Sequence, residues 1–135
     1  MATRSRIGIE LEDGVIESIY CHWDGYPENN GKILLEHYQD PNKIKALISL
    51  GSISSLGHNV IPSGAHDFDN PEELVTVAYA RDRGETLDIR KDTSVINFLK
   101  SDIEEFGYLF TKEGEWIVVG ERGRTPKKLV DIIED

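Results

Sequence analysis

The sequence predicts an α+β fold, with a largely antiparallel sheet built from two hairpins and a further strand and about four helices packed on it. Two pairs of alternating apolar runs flank short turns at Asp13-Gly14 and Lys112-Glu113-Gly114. Runs with helical spacing lie between and after these pairs. Two tight hairpins separated by helices are typical of a mainly antiparallel sheet with helices on its faces.

The first hairpin is predicted from its period of two. Apolar residues alternate with small or polar ones over residues 7–11, which indicates a half-buried strand. Asp13-Gly14 is a favoured hairpin turn, and residues 15–23 form the returning strand.

Two helices are predicted after the hairpin. The first runs over residues 31–39, and the second begins with Asp40 as its N-cap and Pro41 at its first position. Gly51 ends the second helix. The apolar faces of these helices are expected to be Leu34, Leu35 and Tyr38 in the first, and Ile44, Leu47 and Ile48 in the second.

The middle of the chain contains a long polar segment and then a strand. Residues 52–70 are rich in Gly, Ser and Asn and show no sustained period, which is often typical of a functional or mobile loop. "LVTVAYA", residues 74–80, is predicted to be a strand. Residues 93–102 are predicted to be a helix that is buried through Val95, Ile96, Phe98 and Leu99.

The C-terminal part predicts a second hairpin and a last helix. "FGYLFT" and "EWIVVG" are the two strands. Thr125 and Pro126 supply an N-cap and a first-turn proline for a helix that carries Leu129, Val130, Ile132 and Ile133. Neither an internal repeat nor an interdomain linker is evident, so residues 1–135 are expected to form one domain.

Composition limits the function classes. Hydrophobic residues make up 39% of the chain, charged residues make up 30%, and the formal net charge is −10. Nucleic acid and anionic membranes are therefore unexpected partners, although an acidic chain can also act as a DNA mimic. The absence of a signal-like or membrane-length apolar run and the single Cys21 favour the cytoplasm.

The corner "CHWDGYPENNGK", residues 21–32, is the first candidate binding site. Trp23 and Tyr26 could stack on a ligand, and the predicted helix start at Asn30 and Lys32 could supply backbone donors to an anion. A phosphate-binding P-loop is excluded, because five residues instead of four separate the two glycines and Ile33 replaces the required hydroxyl. The alternative is a capped helix with its aromatic rings in the core.

"YARDRGE", residues 79–85, is the second candidate. Arg81 and Arg83 point to the same side if the preceding strand continues, and their guanidinium groups suit phosphate or carboxylate. Arg4 and Arg6, just before the first strand, extend this positive surface if the strands are neighbours. The alternative is a solvated hairpin whose acids neutralise the arginines.

Catalytic and metal sites are weakly indicated. The H-D-x-D run at 66–69 and the H-x-D run at 22–24 match no recognised metal spacing. Cys21 and His22 are adjacent in a strand and face opposite sides, so they cannot act as a catalytic pair. The sequence therefore predicts no catalytic residue, no metal ligand and no cofactor.

Five segments together resemble a family of small uncharacterised proteins from tailed bacteriophages and prophages. These segments are ATRSRIGIE, SIYCHWDGYPE, GKILLEHY, AYARDRGE and YLFTKEGEWIV. The resemblance covers residues 1 to about 118, is most specific at CHWDGYP and RDRGE, and is weakest over residues 52–72. It implies expression inside an infected bacterium and a role in host takeover or counter-defence, but no catalytic residues.

Three functions are compatible with this setting. The first is a non-enzymatic homo-oligomeric sponge that sequesters a small nucleotide-like immune signal, using the aromatic rings, the helix start and the arginines named above. The second is an inhibitor that binds a host defence protein directly. The third is a small hydrolase or nucleotide-modifying enzyme that uses His22, Asp24 or residues 66–69.

Overall fold

The computed structural model describes residues 3–100, 105–120 and 126–133 and has the α+β fold class that the sequence predicts. In these ranges it contains eight strands and five short α-helices. The strands are β1 Ser5–Glu10, β2 Ile16–Cys21, β3 Ile53–Ser55, β4 Val77–Ala78, β5 Arg90–Asp92, β6 Phe106–Phe110, β7 Trp116–Gly120 and β8 Lys127–Lys128. The helices are α1 Lys32–His37, α2 Pro41–Ile48, α3 Tyr79–Arg83, α4 Val95–Lys100 and α5 Leu129–Ile133.

The sheet is mostly antiparallel, as predicted, but it is mixed, because two of the seven strand pairings among the described residues are parallel. Its strands follow the order β4-β3-β2-β1-β6-β7-β8, and β5 pairs with the start of β2. Both hairpins, β1–β2 and β6–β7, are antiparallel as predicted. The hairpins join through β1 and β6, which are parallel, and β2 is also parallel to β3. Parallel neighbours result because the chain crosses over with helices between these strands.

Local signals account for both hairpin turns and for α2. Gly14 and Gly114 have φ angles of 89° and 87°, the left-handed conformation that glycine adopts without steric cost. The Asp40 carboxylate accepts the Asn42 N–H at 2.9 Å, and Pro41 is the first residue of α2. The predicted cap, helix and glycine stop at Gly51 are confirmed.

Helices cover both faces of the sheet. The larger core lies under α1, α2 and α5, and it contains the predicted apolar faces of α1 and α2, including Leu34, Tyr38 and Leu47. The smaller core lies on the other face, where Phe98 of α4 packs with Ile16, Leu109 and Val119. The prediction that Ile96 is buried is wrong, because its side chain is 64% exposed.

The predicted strand 74–80 is wrong at both ends. Only Val77–Ala78 is a strand, and Tyr79–Arg83 turns into α3. Gly84, with a φ angle of 72°, ends that helix, and its N–H and the Glu85 N–H bond to carbonyls of the first turn. The β-branched residues before α3 favoured a strand, and the stop signal at Gly84 was missed.

Several other boundaries also differ. Short strands occur at β3, inside the segment predicted to lack regular structure, and at β5. The last helix begins at Leu129, after β8, so Pro126 is not in its first turn. The predicted N-cap Thr125 and the predicted helix end at Asp102 lie outside the described residues. Within the described ranges, every helix is too short or too polar to cross a membrane.

Candidate functional site

The corner backbone is held on two sides. The Trp23 N–H donates to the Ser54 carbonyl at 2.9 Å, and the Gly25 N–H donates to the Thr3 carbonyl at 2.8 Å. Between them, Asp24 has a φ angle of 55°, an uncommon conformation that an aspartate tolerates better than most residues. The corner is therefore tied to β3 on one side and to the segment before β1 on the other.

Gly25 sits where a side chain would not fit. A Cβ atom at this position would lie 2.6 Å from the Ser5 Cβ and 2.9 Å from the Thr3 carbonyl oxygen. The buried Tyr108 hydroxyl donates to the Gly25 carbonyl at 2.6 Å. Burial, which is the main cause, raises the pKa of Tyr108 well above its usual range, so this donor keeps its proton.

Asn30 is buried and belongs to the interior. Its side-chain amide donates to the Ser5 hydroxyl and to the Cys21 sulfur, each at 3.3 Å, and its carbonyl oxygen accepts from Asn29. The prediction that Asn30 contributes to an exposed ligand site loses its physical basis, because no part of this side chain is exposed.

The predicted anion site at a helix start is wrong for a second reason. The helical segment begins four residues earlier than the Gly31 start expected from the sequence, with a π-helical turn over Pro27–Gly31 that continues directly into α1. The Asn30 N–H donates to the Tyr26 carbonyl, and the Lys32 N–H donates within the same turn. These backbone donors are used, and Lys32 contributes only an exposed side chain.

The aromatic rings of the corner remain outside. Trp23 is 45% exposed and Tyr26 is 38% exposed, so neither ring belongs to the core. The Trp23 ring meets the His22 ring edge to face at 4.7 Å between centroids, and His22 Nδ1 lies 2.7 Å from the Tyr20 hydroxyl. A rigid backbone thus carries two partly exposed aromatic side chains.

Arg81 and Asp82 serve the open edge of the sheet. The Arg81 guanidinium donates to the carbonyls of Val60 and Thr76, each at 2.6 Å, and to the Asp82 carboxylate. Asp82 accepts the Ala78 N–H at 2.8 Å. The Tyr79 N–H donates to the residue before β3, and successive N–H groups of a strand point to opposite sides. The Ala78 N–H therefore points to the other side of β4, where no strand of the described residues pairs with it. This pair satisfies backbone groups that an edge strand would otherwise expose.

Asp82 is the centre of a buried charge network. Its side chain is 5% exposed, and it also contacts Nε2 of His66 at 3.0 Å. Burial acts to raise the pKa of Asp82, but hydrogen bonds from Arg81, Ala78 and His66 outweigh it and lower the pKa to about 2. Because His66 Nδ1 accepts the Glu72 N–H at 2.9 Å, Nε2 carries the proton that is donated to Asp82.

Arg83 does not share the position of Arg81. It pairs with Glu85, and its guanidinium lies 4.4 Å from the centre of the Phe68 ring and 5.2 Å from that of Tyr79. The expectation that both arginines point to one side is wrong, because they lie on a helix, where side chains two positions apart diverge.

Arg4 and Arg6 lie near the corner and not near α3. Arg6 is opposite Tyr20 in the β1–β2 ladder, and Arg4 comes just before Ser5, which is opposite Cys21. Two strands, β2 and β3, separate β1 from β4, so the predicted surface shared with Arg81 and Arg83 does not form. Arg4 lies 4.0 Å from the Glu105 carboxylate, and Arg6 donates to the Ser18 hydroxyl at 3.4 Å.

The corner and α3 lie at opposite ends of β3. The Trp23 N–H donates to the carbonyl of Ser54, whereas the Tyr79 N–H donates to the carbonyl of Ser52. Because β2 is parallel to β3 and β4 is antiparallel to it, the chain continues in opposite directions beyond these two hydrogen bonds. Trp23 and Arg81 therefore do not form the shared cleft that the nucleotide hypothesis required.

The residues considered for metal or nucleophilic chemistry have structural partners. Burial raises the pKa of the Cys21 thiol to about 11, so the thiol stays protonated and unreactive at neutral pH. His66 is held between Asp82 and the Glu72 backbone, as described above. Within residues 3–100, 105–120 and 126–133, no group of three or more potential metal ligands comes together.

Comparisons with protein-family models, curated proteins and solved structures return no match to this chain. The resemblance to phage proteins therefore stays a prediction from the sequence.

Proposed function

We infer that the chain is a phage-encoded counter-defence or host-takeover protein that acts in the cytoplasm of the infected bacterium by binding a host defence protein directly, without catalysis. The observation that carries this proposal is the partial exposure of Trp23 and Tyr26 on a backbone that hydrogen bonds hold in place. Trp, Tyr and Arg are the residue types that contribute most energy at protein interfaces. The rigid backbone lowers the entropy lost on binding.

The open shape of this surface favours a protein partner over a small molecule. A pocket that sequesters a small ligand normally encloses most of the ligand surface. Trp23 and Tyr26 instead lie on an outer corner, and Arg81, Asn30 and Arg83 are engaged elsewhere in the chain. The net charge of −10 adds long-range attraction to a basic partner.

A plating assay tests this function. The chain is expressed in bacterial strains that each carry one anti-phage defence system, and the strains are challenged with phages that the system blocks. We expect plating to be restored in at least one strain, and to be lost with the double variant Trp23→Ala/Tyr26→Ala. Lys45→Ala, on the exposed face of α2, is the control variant. Restoration by the double variant would contradict the corner as the binding surface.

A nucleotide-like immune signal is the second candidate ligand, favoured by one observation. Arg6 lies opposite Tyr20, Arg4 lies two residues before it, and the Tyr20 hydroxyl is 2.7 Å from His22 Nδ1. Since the His22 ring contacts the Trp23 ring, cationic and aromatic side chains adjoin Trp23. Base stacking and arginine–phosphate bonds are the contacts that such a ligand needs. A second copy of the chain would have to close the open site, which agrees with the predicted homo-oligomer.

Titration calorimetry separates the two candidates. Heat with a member of a cyclic-nucleotide panel that disappears in Trp23→Ala and in Arg4→Ala, but not in Lys45→Ala, would favour the signal over the protein partner. Turnover of any panel member would instead support the third hypothesis, a hydrolase or nucleotide-modifying enzyme.

A further inference from the structure

A groove of about 390 Å³ borders the corner. Its lining comes from three parts of the chain, which are Asn29 and Ile33, residues 55–58, and residues 71–75 with Val77. Asn29 also donates to the Asp24 carbonyl at 3.2 Å, so the groove and the corner share a residue. We call this feature the Leu74 groove.

Residues 71–75, which line the groove, are held in position where their backbone closely approaches that of Gly57. A Cβ atom on Gly57 would lie 2.5 Å from the Val75 carbonyl carbon and 2.6 Å from the Thr76 nitrogen. The Asn59 N–H donates to the Leu74 carbonyl, and the Thr76 N–H donates to the Asn59 carbonyl. Backbone hydrogen bonds therefore hold this part of the groove lining in place, and its position does not depend on the Leu74 side chain.

Leu74 is unusual in two respects. Its φ angle is 65°, a left-handed conformation that is strained for a leucine, and its side chain is 54% exposed. Glycine would adopt this φ angle with less strain, and a polar side chain would be hydrated more favourably at this exposed position. Strained residues persist where the surrounding structure holds them, and they cluster at sites of function.

The groove is acidic. Glu73 is exposed, and hydrogen bonds from the Ser63 N–H and hydroxyl, followed by the Gly64 N–H, lower the pKa of Glu72 below its usual value. Burial, followed by the stacked His37 ring, lowers the pKa of His58. The nearby Lys43 ammonium is directed at the carbonyls of His37 and His58.

A second hollow adjoins the Leu74 groove at Glu72. It has a volume of about 460 Å³ and is also lined by Lys43 and by Ile61, which is 77% exposed. Glu72 thus lines both hollows, one of which contains the exposed Leu74 and the other the exposed Ile61.

We propose that the Leu74 groove binds a basic segment of the partner protein, in which lysine or arginine side chains pair with Glu72 and Glu73 while aliphatic side chains pack on Leu74 and Ile61. This inference rests on the proposed function and specifies the chemistry of the partner. Charge complementarity identifies the occupant, because a groove lined by Glu72 and Glu73 repels an acidic or phosphorylated segment.

Fluorescence anisotropy with a defined peptide tests the groove. The probe is a fluorescein-labelled hexapeptide that alternates arginine and leucine, measured at about 0.15 M salt to screen long-range attraction. The same peptide with glutamate in place of arginine is the reference. We expect the basic peptide to bind at least about tenfold more tightly than the reference, a difference that one well-placed charge pair can supply. Equal binding of both peptides would overturn the proposal.

Matched variants separate the groove from overall charge. Glu73→Gln and Glu113→Gln change the net charge equally, but Glu113 lies in the distant β6–β7 turn. We expect Glu73→Gln to weaken peptide binding about fivefold and Glu113→Gln less than about twofold, because exposed charges at a distance are screened. Equal losses would mean attraction to an acidic protein and would contradict the groove.

Leu74→Gly separates binding from stability. It relieves the left-handed strain and removes the exposed side chain, so the melting temperature should stay the same or rise while peptide affinity falls. Ile96→Ala, which removes an equally exposed aliphatic side chain on α4, should leave affinity unchanged. Unchanged affinity in Leu74→Gly would overturn the proposal.

The plating assay then distinguishes this inference from the proposed function. Protection that is lost in Trp23→Ala/Tyr26→Ala but retained in Glu73→Gln/Leu74→Gly would reject the groove and keep the counter-defence function. Groove-dependent peptide binding without protection in any strain would keep the groove and reject the counter-defence function.

Discussion

The corner at residues 21–32 and the arginine segment at residues 79–85 were both predicted from the sequence as ligand-binding segments, yet the fold uses them in opposite ways. In the arginine segment, Arg81 and Asp82 bond to backbone groups at the edge of the sheet. In the corner, the backbone is bonded to neighbouring segments while the rings of Trp23 and Tyr26 point outward. Residue type alone did not reveal which of the two regions presents its side chains to a partner.

The largest effect expected within the two compared regions is the loss of Arg81. Arg81→Ala leaves the carbonyls of Val60 and Thr76 and the Asp82 carboxylate without their donor, so the free energy of unfolding should fall by about 3 kcal/mol. Arg83→Ala, the matched control, removes an exposed ion pair and a ring contact and should cost about 1 kcal/mol. Urea unfolding measures both. Equal losses would mean that the two arginines are used in the same way.

Close packing at the corner gives the next effect. Gly25→Ala places a methyl group against Ser5 and the Thr3 carbonyl, and the overlap should cost about 2 kcal/mol. Gly120→Ala is the control, because the nearest atom to its Cβ would be 3.7 Å away. Thermal unfolding compares them. If Gly25→Ala is as stable as Gly120→Ala, the corner backbone can shift at little cost, and the inference that this backbone is rigid is wrong.

These differences mark how far the sequence could predict the fold. The turns at Gly14 and Gly114 and the cap at Asp40 are set by neighbouring residues, and each was predicted correctly. The parallel pairing of β1 with β6 depends on contacts about a hundred residues apart in the chain, which no local pattern encodes. Three-residue strands such as β3 are too short to show a period.

The candidate site was predicted less well than the turns and the helix cap, because it also depends on contacts between residues far apart in the chain. The two carbonyls that hold Arg81 come from Val60 and Thr76, and nothing in "YARDRGE" indicates them. Asn30 looked like a helix cap, but a π-helical turn placed it in the interior against Cys21. The signals that were available and missed are the glycine stop at Gly84 and the proline at Pro27, which begins the helical segment.

The pH dependence of stability tests the charge network of the arginine segment. The pKa of Asp82 is lowered from 3.8 to about 2 in the folded chain, so the ionised form is bound more tightly than in the unfolded chain. Its contribution, about 2 kcal/mol, is therefore fully present above about pH 4 and is lost as the pH falls toward 2. The stability difference between the native chain and Asp82→Asn, measured in urea, should be constant from pH 7 to 5 and shrink below pH 4. A constant difference down to pH 3 would contradict the network.

The smallest stability effect is expected at Trp23, and the chain contains a matched control. Trp116, the other tryptophan, is 3% exposed and donates from Nε1 to the Tyr38 carbonyl at 2.8 Å. Trp116→Ala should cost about 4 kcal/mol, whereas Trp23→Ala should change the free energy of unfolding by less than about 0.5 kcal/mol. Acrylamide should quench the fluorescence of Trp116→Phe, which keeps the exposed ring, more strongly than that of Trp23→Phe. A destabilised Trp23→Ala or a well-shielded Trp23 would mean that the ring supports the fold, and the corner would then resemble the arginine segment after all.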